Sequence, residues 1–176
     1  MPAFPYWPIG VMPNDSYLAG HYDWYTSVLD GMGEAPIGSA ETNPDADVVV
    51  RYSHFPSFSS AKVIRACFVD GASHATLKAS SGDAGGLEGL GLADWFETEL
   101  SDELWHEIAA WIDDPDLWTP VTEHEFTTFD GDSWLAEQRR QDGTVLAAAL
   151  HDPLNEPWIA FASWFRQCYA KLLSLT

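Results

Sequence analysis

The chain has 176 residues and a formal net charge of −19, from 27 Asp and Glu residues against eight Lys and Arg residues. A surface this acidic repels nucleic acid and anionic lipid, because phosphate groups must be met by cations. The length predicts a single domain over residues 1–176, and 46% apolar residues with nine tryptophans provide for a substantial core. The charge also favours a basic protein partner, although solubility or salt adaptation explains acidity equally well.

The first 46 residues are predicted to form an N-terminal extension ahead of a sheet-and-helix core at 47–176. Apolar residues recur at helical spacing in this extension: Leu18, Tyr22, Tyr25 and Leu29. This spacing predicts a helix near 16–29. Residues 31–46 are rich in glycine, proline and acids, and they are predicted to form an exposed loop.

The cysteine content and the N-terminus predict a reducing, cytoplasmic setting. Cys67 and Cys168 lie in apolar stretches, which favours buried free thiols over a disulfide or a nucleophile. The start of the chain has prolines and no basic region, so we expect no secretory signal. No apolar run reaches the roughly 20 residues that a membrane-spanning helix requires.

The region from residue 47 predicts an α+β fold with an antiparallel sheet of about five to six strands. Runs at 48–52, 62–69 and 74–80 are rich in β-forming residues and predict three strands in meander order. The glycine-rich segment 82–91 has no lysine and carries acids that repel phosphate. We therefore expect a connection there, not a phosphate-binding loop.

Two main amphipathic helices are predicted to pack on this sheet. Ser101 is a suitable N-cap, and Asp102 and Glu103 sit favourably in the first turn of the first helix. Pro157 suits the first turn of the second helix. The order of the predicted elements is compatible with two strand-strand-strand-helix units, although chance explains this similarity between the two halves equally well.

The strongest local signal is a hairpin with Asp142-Gly143 between strand-like runs at 126–140 and 145–153. This pair predicts a type I′ turn, in which both central residues have positive φ. Alternation along the first strand places Asp132 and Trp134 on one face and Glu137 on the other.

Several landmarks from Phe55 onward, over about two-thirds of the chain, carry a resemblance to a known family. They include Phe55-Pro56, the glycine-rich 85–89, the helix start at 100–105 and the motif DG-x-S-W-x-x-E at 130–137. With these features the chain resembles a broad family of small, uncharacterised bacterial proteins. That family usually has a His-rich last strand with Arg-Trp before Ser-Pro, which here is reduced to His151 and Asp152-Pro153. The resemblance implies the fold, and such acidic proteins are often encoded beside secreted toxins, which suggests an immunity-type role.

Three carboxylates near the hairpin, Asp130, Asp132 and Glu137, are of the type that performs acid–base chemistry or holds a cation. Structural roles compete with this hypothesis: the two aspartates suit a bend, and Glu137 is expected to pair with Arg139 or Arg65. The histidines lack zinc-ligand spacing, and no nucleophile motif is present. The sequence therefore predicts no catalytic residue, metal or cofactor.

The leading hypothesis is an acidic inhibitor, immunity-type, that neutralises a toxin or enzyme with a basic surface. The candidate partner-binding residues are Asp130, Asp132, Trp134, Glu137, Asp113, Asp114 and Asp116. Most tryptophans are expected in the core, and one or two on a rim beside acids would suit a binding hot spot. The alternatives are a structural or scaffold protein with a salt-adapted surface, and an enzyme that uses the hairpin carboxylates.

Overall fold

A computed structural model of the chain describes residues 16–39, 46–83, 91–118, 131–151 and 156–175. The elements in chain order are α1 (Ser16–Gly31), β1 (Val48–Pro56), β2 (Ser60–Val69), β3 (Ala72–Asp83), β4 (Leu92–Glu99), α2 (Asp102–Ala109), α3 (Pro115–Trp118), β5 (Asp132–Arg140), β6 (Val145–His151) and α4 (Glu156–Leu173). The strands form one open antiparallel sheet in the order β4-β3-β2-β1-β5-β6. The predicted α+β fold with five to six strands is confirmed.

One face of the sheet is covered by α2, α3 and α4, which share a single apolar core with it. The residues that line the inner face of α4 recur every three or four positions: Trp158, Phe161, Phe165, Cys168 and Leu172. All five are buried, as their spacing predicts. The hydroxyl of Tyr52 donates to the Ile108 carbonyl at 3.2 Å, which ties the central strand β1 to α2. The two predicted main helices therefore lie together on this face.

The opposite face is covered by α1 and by the segment that follows it. Tyr25 and Leu29 of α1 pack against Phe55, Val63 and other sheet residues, so the predicted helix near 16–29 is confirmed. The expectation of an exposed loop at 31–46 is wrong for part of that range. Met32, Glu34 and Ile37 are buried, because this segment fills the face beside α1.

Strand β4 was missed by the sequence prediction. Most residues of Leu92–Glu99 are exposed, and acids occur on both of its faces, so the strand lacks the apolar–polar alternation that marks a half-buried strand. Four strands therefore precede α2, where three were predicted, and the first of the two proposed units is not a strand-strand-strand-helix unit. The new strand lies at one edge of the sheet.

The two Asp-Gly turns differ in geometry. Asp70 and Gly71 have φ values of 51° and 83°, the paired positive angles that a type I′ turn requires. Asp142-Gly143 was expected to match but does not, because only its glycine has a positive φ, of 82°. The amide of Gly143 donates to the Arg140 carbonyl at 2.9 Å, and the Arg140 amide donates to the Thr144 carbonyl at 2.9 Å. This is a three-residue loop with a type I turn followed by a left-handed glycine.

The predicted start of α2 and the predicted state of the cysteines are both confirmed. The Ser101 hydroxyl accepts a hydrogen bond from the Leu104 amide at 3.3 Å and caps the helix. Cys67 and Cys168 are free and buried. Burial raises the pKa of the Cys168 thiol to about 12 and also raises that of Cys67, so both groups are held as thiols.

Candidate functional site

The hairpin carboxylates do not form one site. Asp132 lies on the face covered by α4, whereas Glu137 points to the face covered by α1, as alternation predicts. Asp130 lies outside the described residues. Because the sheet separates Asp132 from Glu137, these two groups cannot act on one substrate or hold one cation.

Asp132 belongs to a small cluster at the end of the α4 face. The guanidinium of Arg166 donates to Asp132 Oδ2 at 2.7 Å and also lies over the Trp134 ring, 5.0 Å from its centroid. The ring of His54 stacks on Trp134 with centroids 3.9 Å apart and planes inclined by 8°. Trp134 is fully buried, so its side chain is not accessible to a partner in this structure.

His54 is held neutral within this cluster. Its Nε2 lies 3.1 Å from Asp132 Oδ2, but the two groups are not aligned for a hydrogen bond. Burial lowers the pKa of His54 to about 4, against the attraction of Asp132, and the nearby Arg166 and Lys62 charges act in the same direction as burial. The cluster therefore contributes a buried neutral imidazole, with one carboxylate partly exposed at its rim.

Glu137 is the end of a row of charges buried on the α1 face. Arg51 lies directly opposite it across the β1–β5 ladder, and Arg65 lies opposite Arg51 on β2. Arg51 contacts both carboxylate oxygens of Glu137: its Nη2 donates to Oε1 at 2.7 Å, and its Nε donates to Oε2. The predicted pairing of Glu137 with Arg139 or Arg65 is wrong, because Arg51 occupies the adjacent position. Glu137 is fully buried and cannot reach a partner here.

A second carboxylate completes this row from outside the sheet. Glu34, in the segment after α1, accepts from Arg65 Nε at 2.9 Å through its Oε2, while its Oε1 lies 2.9 Å from Lys78 Nζ. Arg51 and Arg65 each donate to the Ala35 carbonyl at 2.8 Å. We call Glu34, Arg51, Arg65, Lys78 and Glu137 the buried ion network.

The buried ion network has three cations and two carboxylates, and its electrostatics reflect this excess. Burial raises the pKa of Glu34, but Arg65, Arg51 and Lys78 outweigh burial and hold that pKa below its usual value. The pKa of Arg65 is lowered, because burial and the neighbouring Arg51 outweigh the attraction of Glu34. Like charges on neighbouring strands repel. The carboxylates of Glu34 and Glu137 are therefore needed to offset the repulsion between the buried guanidinium groups of Arg51 and Arg65. We interpret the network as a structural element.

All eight Lys and Arg residues of the chain are engaged within the molecule. Three belong to the buried ion network. Three more form surface ion pairs: Arg140 with Asp113, Arg166 with Asp132, and Lys171 with Glu107. Lys62 lies over the Tyr169 ring, and Arg139 also takes part in an interaction. All the cations are therefore engaged in contacts within the chain, and most exposed acids of the described ranges are in no ion pair with a described cation.

The acidic residues are concentrated in one part of the chain. Residues 79–138 contain 16 of the 27 acidic residues and no Lys or Arg. Within this stretch, the exposed acids of β4 and of the first turn of α2, together with the exposed Trp95, form what we call the acidic edge: Asp94, Trp95, Glu97, Glu99, Asp102 and Glu103. No carboxylate of the acidic edge has an ion-pair partner among the described residues. The absence of basic residues between 79 and 138 is the sequence signal that would have located it.

Trp95 gives the acidic edge an exposed aromatic side chain. Its side chain is 54% exposed, whereas Trp134 and Trp158 are buried in the core. It lies directly opposite Lys78 on β3, and Glu97 and Glu99 follow it on the same face of the sheet. This is the combination of tryptophan and acids on a rim that the sequence analysis expected without locating it.

The three aspartates after α2 have local roles. Asp113 pairs with Arg140 at 3.4 Å while remaining 86% exposed. The Asp114 carboxylate accepts from the Asp116 amide at 2.9 Å and so stabilises the start of α3. Asp116 is exposed. These three side chains and Asp132 are accessible, so their role in partner binding stays a prediction.

In the described ranges, no group of three or more His, Cys, Asp or Glu residues is arranged to hold a metal ion. No helix in the described part of the chain combines the length and apolar character needed to cross a membrane. No protein-family model, curated protein or solved structure matches the chain.

Proposed function

We propose that this protein is an immunity-type inhibitor that binds a toxin or enzyme through a basic surface on that partner. The observation that carries the proposal is the distribution of charge. The chain commits all its Lys and Arg residues to internal contacts, while the carboxylates of the acidic edge lack ion-pair partners among the described residues. An exposed tryptophan lies among these carboxylates.

The proposed mechanism is occupancy of the partner's basic surface. A basic active surface binds polyanionic substrates, and a row of fixed carboxylates offers it the same charge without a bond to cleave. The opposite charges also accelerate encounter, because long-range attraction raises the association rate at low salt. Trp95 would supply the desolvated anchor that a tight complex requires.

The test is capture of the partner from the source cells with the tagged full chain. We expect one dominant basic protein, bound in a fixed stoichiometric ratio at low salt and released as salt increases. The purified partner should lose its activity on addition of one equivalent of this chain. A chain that captures no stoichiometric basic partner at low salt would overturn the proposal.

Two matched variants test whether the acidic edge carries the binding. One changes Glu97→Gln, Asp102→Asn and Glu103→Gln, and the other changes the exposed acids Asp23→Asn, Asp70→Asn and Glu156→Gln. Both remove three negative charges, so a general charge effect weakens binding equally in the two. We expect the first variant to lose much more affinity. Equal losses would mean that net charge attracts the partner and that the acidic edge does not contact it.

A further inference from the structure

Strand β4 forms one edge of the open sheet, and the hydrogen-bond pattern shows which of its backbone groups face outward. The Leu100 amide donates to the Ser73 carbonyl at 2.8 Å, which fixes the phase of the β3–β4 ladder. Because hydrogen-bonded and non-hydrogen-bonded pairs alternate in an antiparallel ladder, Phe96 and Thr98 bond to β3. The N–H and C=O groups of Trp95, Glu97 and Glu99 therefore point away from the sheet.

The six outward-facing backbone groups belong to Trp95, Glu97 and Glu99, whose side chains also lie side by side on one face of the sheet. Each residue thus offers a backbone donor and acceptor pair to an incoming strand, together with a side chain for cross-strand contact. The Glu99 carbonyl also accepts from the Thr98 hydroxyl at 3.2 Å. Sheet edges with exposed backbone groups bind extended segments, and the side chains at alternate positions give specificity.

The charge of β4 identifies the kind of occupant. Asp94, Glu97 and Glu99 would face the same acids in a second copy of this chain, and like charges opposite each other in a sheet are destabilising. An acidic edge also protects a protein from aggregation. That purpose does not account for the 54% exposed side chain of Trp95 at the centre of the strand. The occupant that fits both features is an extended segment with Lys or Arg at alternate positions.

We propose that β4 binds a basic strand of the partner as a seventh strand of the sheet. This inference rests on the proposed function and specifies how the partner is held. Lys or Arg side chains of the added strand would lie opposite Glu97 and Glu99. An apolar side chain of that strand, or the aliphatic part of a Lys or Arg side chain, would cover Trp95. Backbone hydrogen bonds supply part of the affinity, so the complex does not depend on charge alone.

The test uses a nine-residue capped peptide of alternating lysine and valine, with the glutamate–valine peptide as its control. Amide hydrogen exchange is measured by NMR on the full chain. We expect the lysine peptide to slow exchange at Trp95, Glu97 and Glu99, while Phe96 and Thr98 change little because they already bond to β3. Protection without this alternation, or protection by both peptides, would overturn strand addition.

A pair of substitutions at one position separates backbone pairing from charge. Glu97→Gln removes the charge and keeps the amide hydrogen, whereas Glu97→Pro removes both and blocks the edge without breaking the β3–β4 ladder. We expect the proline variant to bind the lysine peptide up to roughly tenfold more weakly than the glutamine variant, consistent with loss of about one hydrogen bond. Retained protection of Phe96 and Thr98 in the proline variant checks that β4 is intact. If that protection is lost, Trp95→Ala is used, and an unchanged peptide affinity would count against the edge.

The same two variants distinguish this inference from the proposed function. If Glu97→Pro captures the cellular partner as strongly as Glu97→Gln, the partner binds elsewhere, and strand addition is wrong while inhibition stands. If the wild-type chain captures no basic partner, the proposed function fails whatever the peptide does. Loss of capture by the proline variant but not the glutamine variant supports both.

Discussion

The buried ion network lies beside the part of the acidic edge formed by Trp95, Glu97 and Glu99, on the same face of the sheet, yet the carboxylates of the two regions differ in their pairing. Lys78 is the last cation of the network, and Trp95 lies directly opposite it across the β3–β4 ladder. On one side of this boundary every carboxylate contacts a cation, and on the other no carboxylate of the acidic edge has an ion-pair partner among the described residues. The comparison teaches that burial makes pairing necessary: a buried charge requires a partner, whereas an exposed one is stable without one.

The largest effect is expected from breaking the buried ion network at its centre. Arg51→Ala leaves Glu137 buried without its partner, and we expect a loss of roughly 3–5 kcal/mol in the free energy of unfolding. The control is Arg140→Ala, which removes an exposed pair with Asp113 and should cost less than about 1 kcal/mol. Urea denaturation of both variants measures the difference. Similar losses in the two would show that burial does not set the value of these charges.

The second prediction concerns the buried imidazole of His54, which is neutral in the folded protein. His54 has a folded-state pKa of about 4 against an ordinary value of 6.5. Between these two pH values the imidazole binds a proton in the unfolded chain but stays neutral in the folded chain. Stability is therefore lost as pH falls from 6.5 towards 4, by roughly 3 kcal/mol. His54→Gln should show a flatter pH profile over this range, whatever its absolute stability. An imidazole that titrates near 6.5 in the native protein by NMR would contradict the prediction.

Trp95→Ala should have a smaller effect on folding than on binding. The side chain is 54% exposed, so we expect its removal to cost about 1 kcal/mol or less. Trp134→Ala is the matched comparison in the core, where truncation of a buried tryptophan costs roughly 3–5 kcal/mol. Thermal and urea unfolding of both variants test the difference. A large loss in the free energy of unfolding for Trp95→Ala would show that this residue belongs to the core and is not a binding anchor.

The smallest effect is expected from neutralising the acidic edge. Glu97→Gln with Glu99→Gln should change the free energy of unfolding by less than about 0.5 kcal/mol, and any gain should vanish at high salt because it reflects relief of repulsion between exposed charges. Unfolding at low and high salt measures this change. A substantial loss of stability would show that these carboxylates have structural partners.

The sequence predicted the elements whose local signals agree with their environment. The spacing of apolar residues in α4 and the cap at Ser101 both depend on residues close in the chain, and both were predicted correctly. The pairing of Arg51 with Glu137 joins residues 86 positions apart, and no local pattern specifies it. Strand β4 was missed because an uncovered edge strand needs no apolar face. Glu34 was missed because its buried segment has the composition of a loop.

The sequence and the structure point to different residues for the candidate site. A tryptophan beside acids was expected, but Trp134 and Glu137 are buried and Asp132 is paired with Arg166. The motif around Asp132 was chosen because it combines a tryptophan with carboxylates. In the structure these residue types are used for core packing and for ion pairs within the chain. The stretch without Lys or Arg at 79–138 was a better guide, because the acidic edge lies within it. Other acids of the same stretch nonetheless pair with cations from elsewhere in the chain: Glu107, Asp113, Asp132 and Glu137.

The position of Glu34 has a consequence for how the chain assembles. This carboxylate reaches cations on three strands that follow it in sequence, so it is synthesised before the charges that it neutralises. A truncated chain that began at residue 47 would bring Arg51, Arg65 and Lys78 together against Glu137 as the network's one remaining carboxylate. The N-terminal segment thus supplies one of the two carboxylates that balance the buried cations of the sheet, and we expect a chain without it to be less stable.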